Sequence, residues 1–144
     1  VGLTAYSSPE WYQQRGALYF VAPAQPFTLE DVREINAVGE FVNRSFIISM
    51  SAILEEYGVV PSGTCPDRRK LGGDCAQLTK WLRNRFAHGD WEFDAGDSDH
   101  RKTRTLLEKL FPAAAAQGPG FVTAIHKVLE PLKNGVLDYI RACE

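Results

Sequence analysis

An arginine and a histidine separated by four residues, Arg83 and His88, are the side chains of this sequence best suited to chemistry on a phosphodiester. Arginine presents a permanently charged fork that matches phosphate oxygens and stabilises charge developing on phosphorus. Histidine transfers protons near neutral pH. Asn84 follows the arginine and precedes the histidine by four positions, within reach of the imidazole on a helix. These three are the predicted catalytic residues.

A predicted helix from Asp74 to Gly89 carries all three residues. Its apolar side chains recur at helical spacing and form one stripe: Cys75, Leu78, Leu82 and Phe86. At about 100° per residue, Arg83, Asn84 and His88 then occupy the opposite, polar face. The free carbonyls and dipole at the helix end favour the cationic imidazole of His88, which suits a general acid.

Basic residues near the motif supply the candidate substrate contacts. The net charge is −2, so attraction for nucleic acid must come from a local patch. Nine of the 16 basic residues lie between Arg68 and Arg104, together with six acids. We predict substrate-binding roles for Lys80 on the polar face, Arg85 in the same cluster, and Arg44 on the preceding helix. A solvated surface of mixed charge is the alternative interpretation of this cluster.

Four main helices and a short leading one are the predicted elements that position these residues. They run, in order, over Ser8 to Phe20, Thr28 to Gly58, Asp74 to Gly89, Ser98 or Asp99 to Phe111, and Phe121 to Ala142. The last is expected to be interrupted or kinked where Pro131 and Asn134-Gly135 fall. Strand alternation does not extend beyond a few residues. The sequence therefore predicts an all-α bundle forming a single domain over residues 1–144.

The long second helix has the strongest pattern. Thr28 and Asp31 form a predicted capping box in which Asp replaces the usual Glu or Gln. A stripe of residues stepping by threes and fours is predicted to face the core: Ile35, Val38, Val42, Phe46, Ser49, Ile53 and Tyr57.

Composition favours a soluble protein of the cytoplasm. The chain is 44% hydrophobic and 24% charged, within the ordinary globular range, and no apolar run approaches the ~20 residues that span a bilayer. No secretory signal is predicted at its start. Three cysteines without a pairing pattern favour a reducing compartment. The cysteines and histidines lack the short spacing of zinc sites, so neither a metal nor a cofactor is predicted.

The segment from Arg83 to His88 resembles the signature of the HEPN (higher eukaryotes and prokaryotes nucleotide-binding) family, an arginine followed after a short spacer by a histidine. A polar residue, commonly asparagine, often follows the arginine in that family, as Asn84 does here. Ala87-His88-Gly89 is similar to the usual ending of the signature. The position of the motif, late in a helix of an all-helical domain, extends the resemblance over the whole chain.

The resemblance implies a HEPN-like helical bundle that forms a homodimer, so that two motifs line one cleft. In active members it implies a metal-independent endoribonuclease. Arg83 would contact the scissile phosphate, His88 would transfer a proton and Asn84 would assist positioning. The ribose 2′-hydroxyl would act as nucleophile and leave a 2′,3′-cyclic phosphate, so DNA should resist. The expected partners are exposed or single-stranded RNA, a second copy of the chain and an antitoxin protein, in a toxin, defence or RNA-processing role.

Two other interpretations stay open. One is a HEPN-like domain without nuclease activity that binds a nucleotide, RNA or a protein partner through the same face, which the sequence pI of about 5.9 favours. The other is an unrelated helical adaptor in which the motif is a coincidence.

Overall fold

The structure is a computed structural model, and it describes residues 4–6, 19–21, 28–88, 93–112 and 125–144. Side chains are described in these ranges except at 4–6, 19–21 and 125–126.

Four helices make up most of the described chain: α1 (Leu29–Glu56), α2 (Gly73–Ala87), α3 (Ser98–Leu110) and α4 (Ile125–Arg141). Two strands of three residues, β1 (Thr4–Tyr6) and β2 (Tyr19–Val21), pair in parallel with Thr4 opposite Tyr19. The predicted all-helical class, with four main helices, is confirmed. The predicted leading helix lies largely outside the described residues, but its last two positions, Tyr19 and Phe20, belong to β2 and not to a helix.

The chain divides into two compact units, Val1–Asn43 and Arg44–Glu144, with the boundary inside α1. The single domain expected from the sequence stays a prediction. The motif, α2, α3 and α4 all belong to the second unit.

The start of α1 follows the predicted capping box. The Asp31 backbone N–H donates to Thr28 Oγ1 at 3.1 Å, and the Thr28 backbone N–H donates to Asp31 Oδ2 at 2.7 Å. Two hydrogen-bond donors at the helix start are thereby satisfied. The hydrogen bonds from Thr28 lower the pKa of Asp31.

Side chains from all four helices form the core of the second unit. Ile47 and Met50 of α1 join the apolar residues of the other helices in one cluster: Leu78, Leu82, Phe86, Leu106, Leu107, Val128, Leu129 and Leu132. A second, smaller cluster contains Leu54, Val60, Ala76, Val136 and Tyr139. The motif helix α2 contributes to both clusters, so its orientation is set by core packing along most of its length.

The predicted core-facing stripe of α1 is wrong. Val38, Ile53 and Tyr57 are 46%, 47% and 76% exposed, whereas the buried positions of this helix are Asn43, Ile47, Met50, Ser51 and Leu54. The helix has apolar residues at helical spacing on two faces, and periodicity alone does not say which face meets the other helices.

The apolar character of α1 has a second consequence. Among the described residues, α1 is the one helix long and apolar enough to cross a membrane by length and composition, and 28% of its most apolar window is buried. From the sequence we expected no apolar run to approach the ~20 residues that span a bilayer. Core helices of soluble proteins meet the same criterion, so membrane crossing does not follow from it.

Close backbone contact joins the start of α2 to α4. Gly72, the residue before α2, adopts a left-handed conformation with φ of 71°, and a Cβ atom there would overlap the carbonyl oxygen of Gly135. A Cβ atom on Gly135 would overlap the Cys75 side chain. The helix α4 is continuous through Pro131 and Gly135, so the predicted interruption does not occur, and the kink given as its alternative stays a prediction. Val128, Leu132 and Val136 are buried along α4, and this packing offsets the backbone hydrogen bond that proline removes.

Candidate functional site

The C-terminal half of α2 presents the predicted motif on the face opposite the core. Leu82 is fully buried and Phe86 is 5% exposed. Arg83 and Asn84 are half-buried, and His88 is exposed directly after the helix. The periodicity of α2 therefore places all three predicted catalytic residues at the surface.

A hydrogen bond joins Arg83 to Asn84. Arg83 Nη1 donates to Asn84 Oδ1 at 3.0 Å. The sequence suggested a bond between Asn84 and His88, and the structure does not form it. Because one donor of the guanidinium fork is held by the neighbouring amide, Asn84 orients the arginine and not the imidazole. The guanidinium has five N–H donors, and the bond to Asn84 uses one of them.

His88 lies at the end of α2 as its C-terminal capping residue, with φ of −93° and ψ of 4°. Its backbone N–H donates to the carbonyl of Arg85 at 3.2 Å. The imidazole makes no hydrogen bond with any described side chain and is open to solvent. Gly89, expected to end the helix, lies outside the described residues. The ring is thus accessible for proton exchange with a bound molecule.

Arg85, a predicted substrate contact, is already paired with carboxylates at the start of α3. Its Nη1 lies 3.8 Å from Asp97 Oδ2, and its Nη2 lies 3.9 Å from Asp99 Oδ2. Asp97 also caps α3 by accepting the backbone N–H of Asp99 at 2.7 Å and of His100 at 3.1 Å. Those backbone bonds, the one from His100 first, lower the pKa of Asp97. Arg85 therefore connects α2 to α3, and its charge is balanced within the chain.

The other two predicted substrate contacts are placed differently. Lys80 donates from Nζ to the backbone carbonyl of Thr64, in the loop before α2. Arg44 is half-buried on α1, a different element from the motif. The structure thus brings Arg83, Asn84 and His88 together at one end of α2, while Lys80, Arg85 and Arg44 have separate surroundings.

A buried histidine that the sequence did not single out organises the segment after the motif. His100 is 3% exposed, and its Nδ1 accepts the backbone N–H of Asp94 at 2.9 Å. Nearby, the Arg104 guanidinium lies 4.2 Å from the centre of the Phe93 ring. The only local signal in the sequence was the spacing of His100 three residues after the capping residue Asp97. These contacts hold residues 93–97 against α3.

Metal ligands do not cluster in the part of the chain that the structure describes, where no three His, Cys, Asp or Glu side chains come together to hold an ion.

Comparison of the chain with known protein families, with curated proteins and with solved structures gave no match. The motif and its placement on α2 are consequently the basis for any functional proposal.

Proposed function

We propose that this chain is a metal-independent endoribonuclease of the HEPN type, with an active site composed at the interface of a homodimer. The observation that carries the proposal is the shared position of Arg83, Asn84 and His88 at the exposed end of α2, with Arg83 oriented by its 3.0 Å bond to Asn84. A cytoplasmic location, an antitoxin partner, and a toxin, defence or RNA-processing role belong to the same proposal.

The proposed reaction is an attack of the ribose 2′-hydroxyl on the adjacent phosphorus. The bond from the 2′-oxygen to phosphorus forms, the bond from phosphorus to the 5′-oxygen breaks, and a 2′,3′-cyclic phosphate remains. Arg83 holds the phosphate oxygens and stabilises the charge that accumulates on them. His88, in its cationic form, donates a proton to the departing 5′-oxygen.

A second proton carrier is needed because the 2′-hydroxyl must lose its proton as the 5′-oxygen gains one. One imidazole does not readily perform both transfers on one substrate. In a homodimer, His88 of the second copy takes the proton from the 2′-hydroxyl. The exposed position of His88 is compatible with such a shared cleft.

Cleavage of labelled RNA in the presence of EDTA tests this proposal. We expect the intact chain to cut RNA and leave cyclic phosphate ends, and we expect His88→Ala and Arg83→Ala to lose this activity. Arg83→Ala should change the free energy of unfolding by no more than about 0.5 kcal/mol, as for other surface positions. Arg141→Ala is the matched control, because Arg141 is 71% exposed on α4 and pairs only with Asp138 among described residues.

Two further measurements distinguish the proposed reaction from a contaminating nuclease and from a mechanism that does not use the 2′-hydroxyl. RNA with a 2′-deoxy nucleotide at the cleaved position should resist. Cleavage that persists unchanged in His88→Ala would refute the assigned role of this residue.

Subunit mixing tests the composite site. If both copies must supply His88, mixing equal amounts of the intact chain and His88→Ala leaves about a quarter of dimers with two intact subunits. Activity should then vary with the square of the intact fraction. A linear dependence of activity on the intact fraction would contradict a shared site. A strictly monomeric chain in light scattering would contradict it as well.

Binding without cleavage is the second candidate function. The net charge of −2 and the internal pairing of Arg85 favour it, because both reduce the positive potential available to RNA. Retention of RNA or a nucleotide by an intact chain that leaves every substrate uncut, with loss of binding in Arg83→Ala, would select this function over the nuclease.

A further inference from the structure

A cavity of about 640 Å³ in the second unit, whose lining includes no residue of the motif, brings a thiol and a lysine together. Apolar side chains of α1, the turn after it and α4 line one part of the cavity, among them Ile53, Val59 and Ile140. Cys143 and Lys70 line another part. The volume lies within the roughly 300–1,000 Å³ typical of small-molecule sites.

Cys143 is in direct contact with a cation. Lys70 Nζ donates to Cys143 Sγ at 3.3 Å. The ammonium fixes the position of the sulfur and places a proton donor beside it. Tyr139 also lines the cavity, where its Oη accepts the backbone N–H of Asp67 at 3.0 Å, and burial raises the pKa of its phenol. The phenol therefore stays protonated in the wall of the cavity.

The other two cysteines provide internal comparisons. Burial, and then the carboxylates of Asp74 and Asp138, raise the pKa of Cys75, so that this thiol stays protonated. Cys65 lines the same cavity but is exposed to solvent. Among the described contacts, Cys143 is the thiol that receives a hydrogen bond from an ammonium group.

The charges around the cavity favour a neutral ligand. Lys70 contributes one positive charge, while the carboxylates of Asp67 and Glu144 also line the cavity. Asp67 accepts two hydrogen bonds from the Arg69 guanidinium at 2.9 Å each. Because these charges offset one another, an anionic ligand gains little, whereas an alkyl group is stabilised against the apolar side.

We propose that this cavity binds a neutral α,β-unsaturated carbonyl compound bearing an alkyl chain, and that Cys143 captures it covalently. The sulfur forms a bond to the β-carbon, and the electron pair of the carbon–carbon double bond moves to the α-carbon and carbonyl oxygen. Lys70 delivers a proton to the α-carbon and recovers the proton that the thiol released. The sum is addition of S–H across the double bond, which needs no oxidant or reductant.

Adduct mapping by mass spectrometry on the intact chain tests the proposal. Limiting nonenal should modify Cys143 at least about tenfold faster than Cys65 or Cys75, because among the described contacts Cys143 is the thiol with an ammonium beside it to protonate the α-carbon. With acrolein, which lacks the alkyl chain, the modification rates of the three cysteines should differ less. Nonanal, which lacks the double bond, should give no stable sulfur adduct.

Variants separate the two parts of the cavity. Lys70→Met should slow capture of both enals at Cys143, whereas Ile53→Ser, at a position 47% exposed, should slow nonenal alone. In urea the three cysteines should react at similar rates, which shows that the preference comes from the fold. Equal rates at Cys143 and Cys65 in the folded, unsubstituted chain would overturn the proposal. So would an equal preference for Cys143 with nonenal and with acrolein. Neither measurement depends on the folding of a variant.

Discussion

Replacing Gly72 by alanine is the sharpest test of how the motif helix is attached to the rest of the second unit. Gly72 precedes α2 with φ of 71°, where an L-residue is strained. The added methyl group would overlap the carbonyl oxygen of Gly135 and lie 2.7 Å from the backbone nitrogen of Tyr139. Both are backbone atoms of a continuous helix, so they cannot rotate away as a side chain would.

Two effects set the magnitude. The left-handed conformation costs a non-glycine residue about 1–2 kcal/mol. Separating α2 from α4 to admit the methyl group adds about 1–3 kcal/mol, as for other overpacked positions. We therefore expect Gly72→Ala to reduce the free energy of unfolding by about 2–5 kcal/mol.

Gly63→Ala is the matched control. Gly63 has φ of 78°, but a Cβ atom there would have no neighbour within 4 Å. This variant should carry only the conformational cost of about 1–2 kcal/mol. Both substitutions restrict the unfolded chain alike, so that contribution cancels in the comparison.

Urea unfolding followed by circular dichroism measures the difference between the two variants. Gly72→Ala should have the lower midpoint with a similar slope. If Gly72→Ala costs no more than Gly63→Ala, the close approach of α2 to α4 is wrong, and so is the placement of the motif helix that depends on it.

Three other predictions concern the elements around the motif. Leu82→Ala, at a fully buried position, should cost about 2–5 kcal/mol in urea unfolding; a loss below 1 kcal/mol would contradict its burial. Arg85→Ala should cost about 1 kcal/mol or less, with a smaller loss at high salt, because its pairs with Asp97 and Asp99 are partly exposed; a loss independent of salt would argue against ion pairing. The hydrogen bonds from Arg69 lower the pKa of Asp67 to about 2, so this contact stabilises the fold above about pH 4 and the contribution is lost as the pH falls through about 2. Arg69→Met should weaken that acid dependence of the urea midpoint, whereas Arg33→Met, at an exposed position on α1, should not.

The helices could be predicted from sequence because their signals are local. Thr28 with Asp31 starts α1 through contacts three residues apart, as predicted, whereas the residue that caps α3 is Asp97 and not Ser98 or Asp99, the predicted caps. The buried face of α1 could not be predicted in this way. Ile47 and Leu54 are buried, whereas Ile53 and Tyr57 are exposed, and this choice depends on which face meets the other helices. That information is not contained in the periodicity of one helix.

The same distinction applies to the candidate site. The surface position of Arg83, Asn84 and His88 follows from the spacing of Leu82 and Phe86 on the same helix. The pairing of Arg85 with Asp97 and Asp99 depends on how α3 packs against α2, and no spacing rule predicts it. The contact of Lys70 with Cys143 joins residues 73 positions apart, so only the folded chain reveals it.

The attachment of α2 at both ends supports the proposed role of its surface residues in binding a second molecule. At its start, Asp74 is bonded to Arg68 and, at 2.8 Å, to Lys109 of α3. At its end, Phe86 is buried and Arg85 is paired with α3. A helix fixed at both ends holds its exposed side chains in constant relative positions, which lowers the entropic cost of aligning them with a phosphate. Arg83 and His88 nevertheless supply one fork and one proton carrier, whereas the proposed reaction moves two protons. In the proposed homodimer the second copy supplies the missing group, and for that reason the oligomeric state and the His88→Ala mixing experiment test the proposal directly.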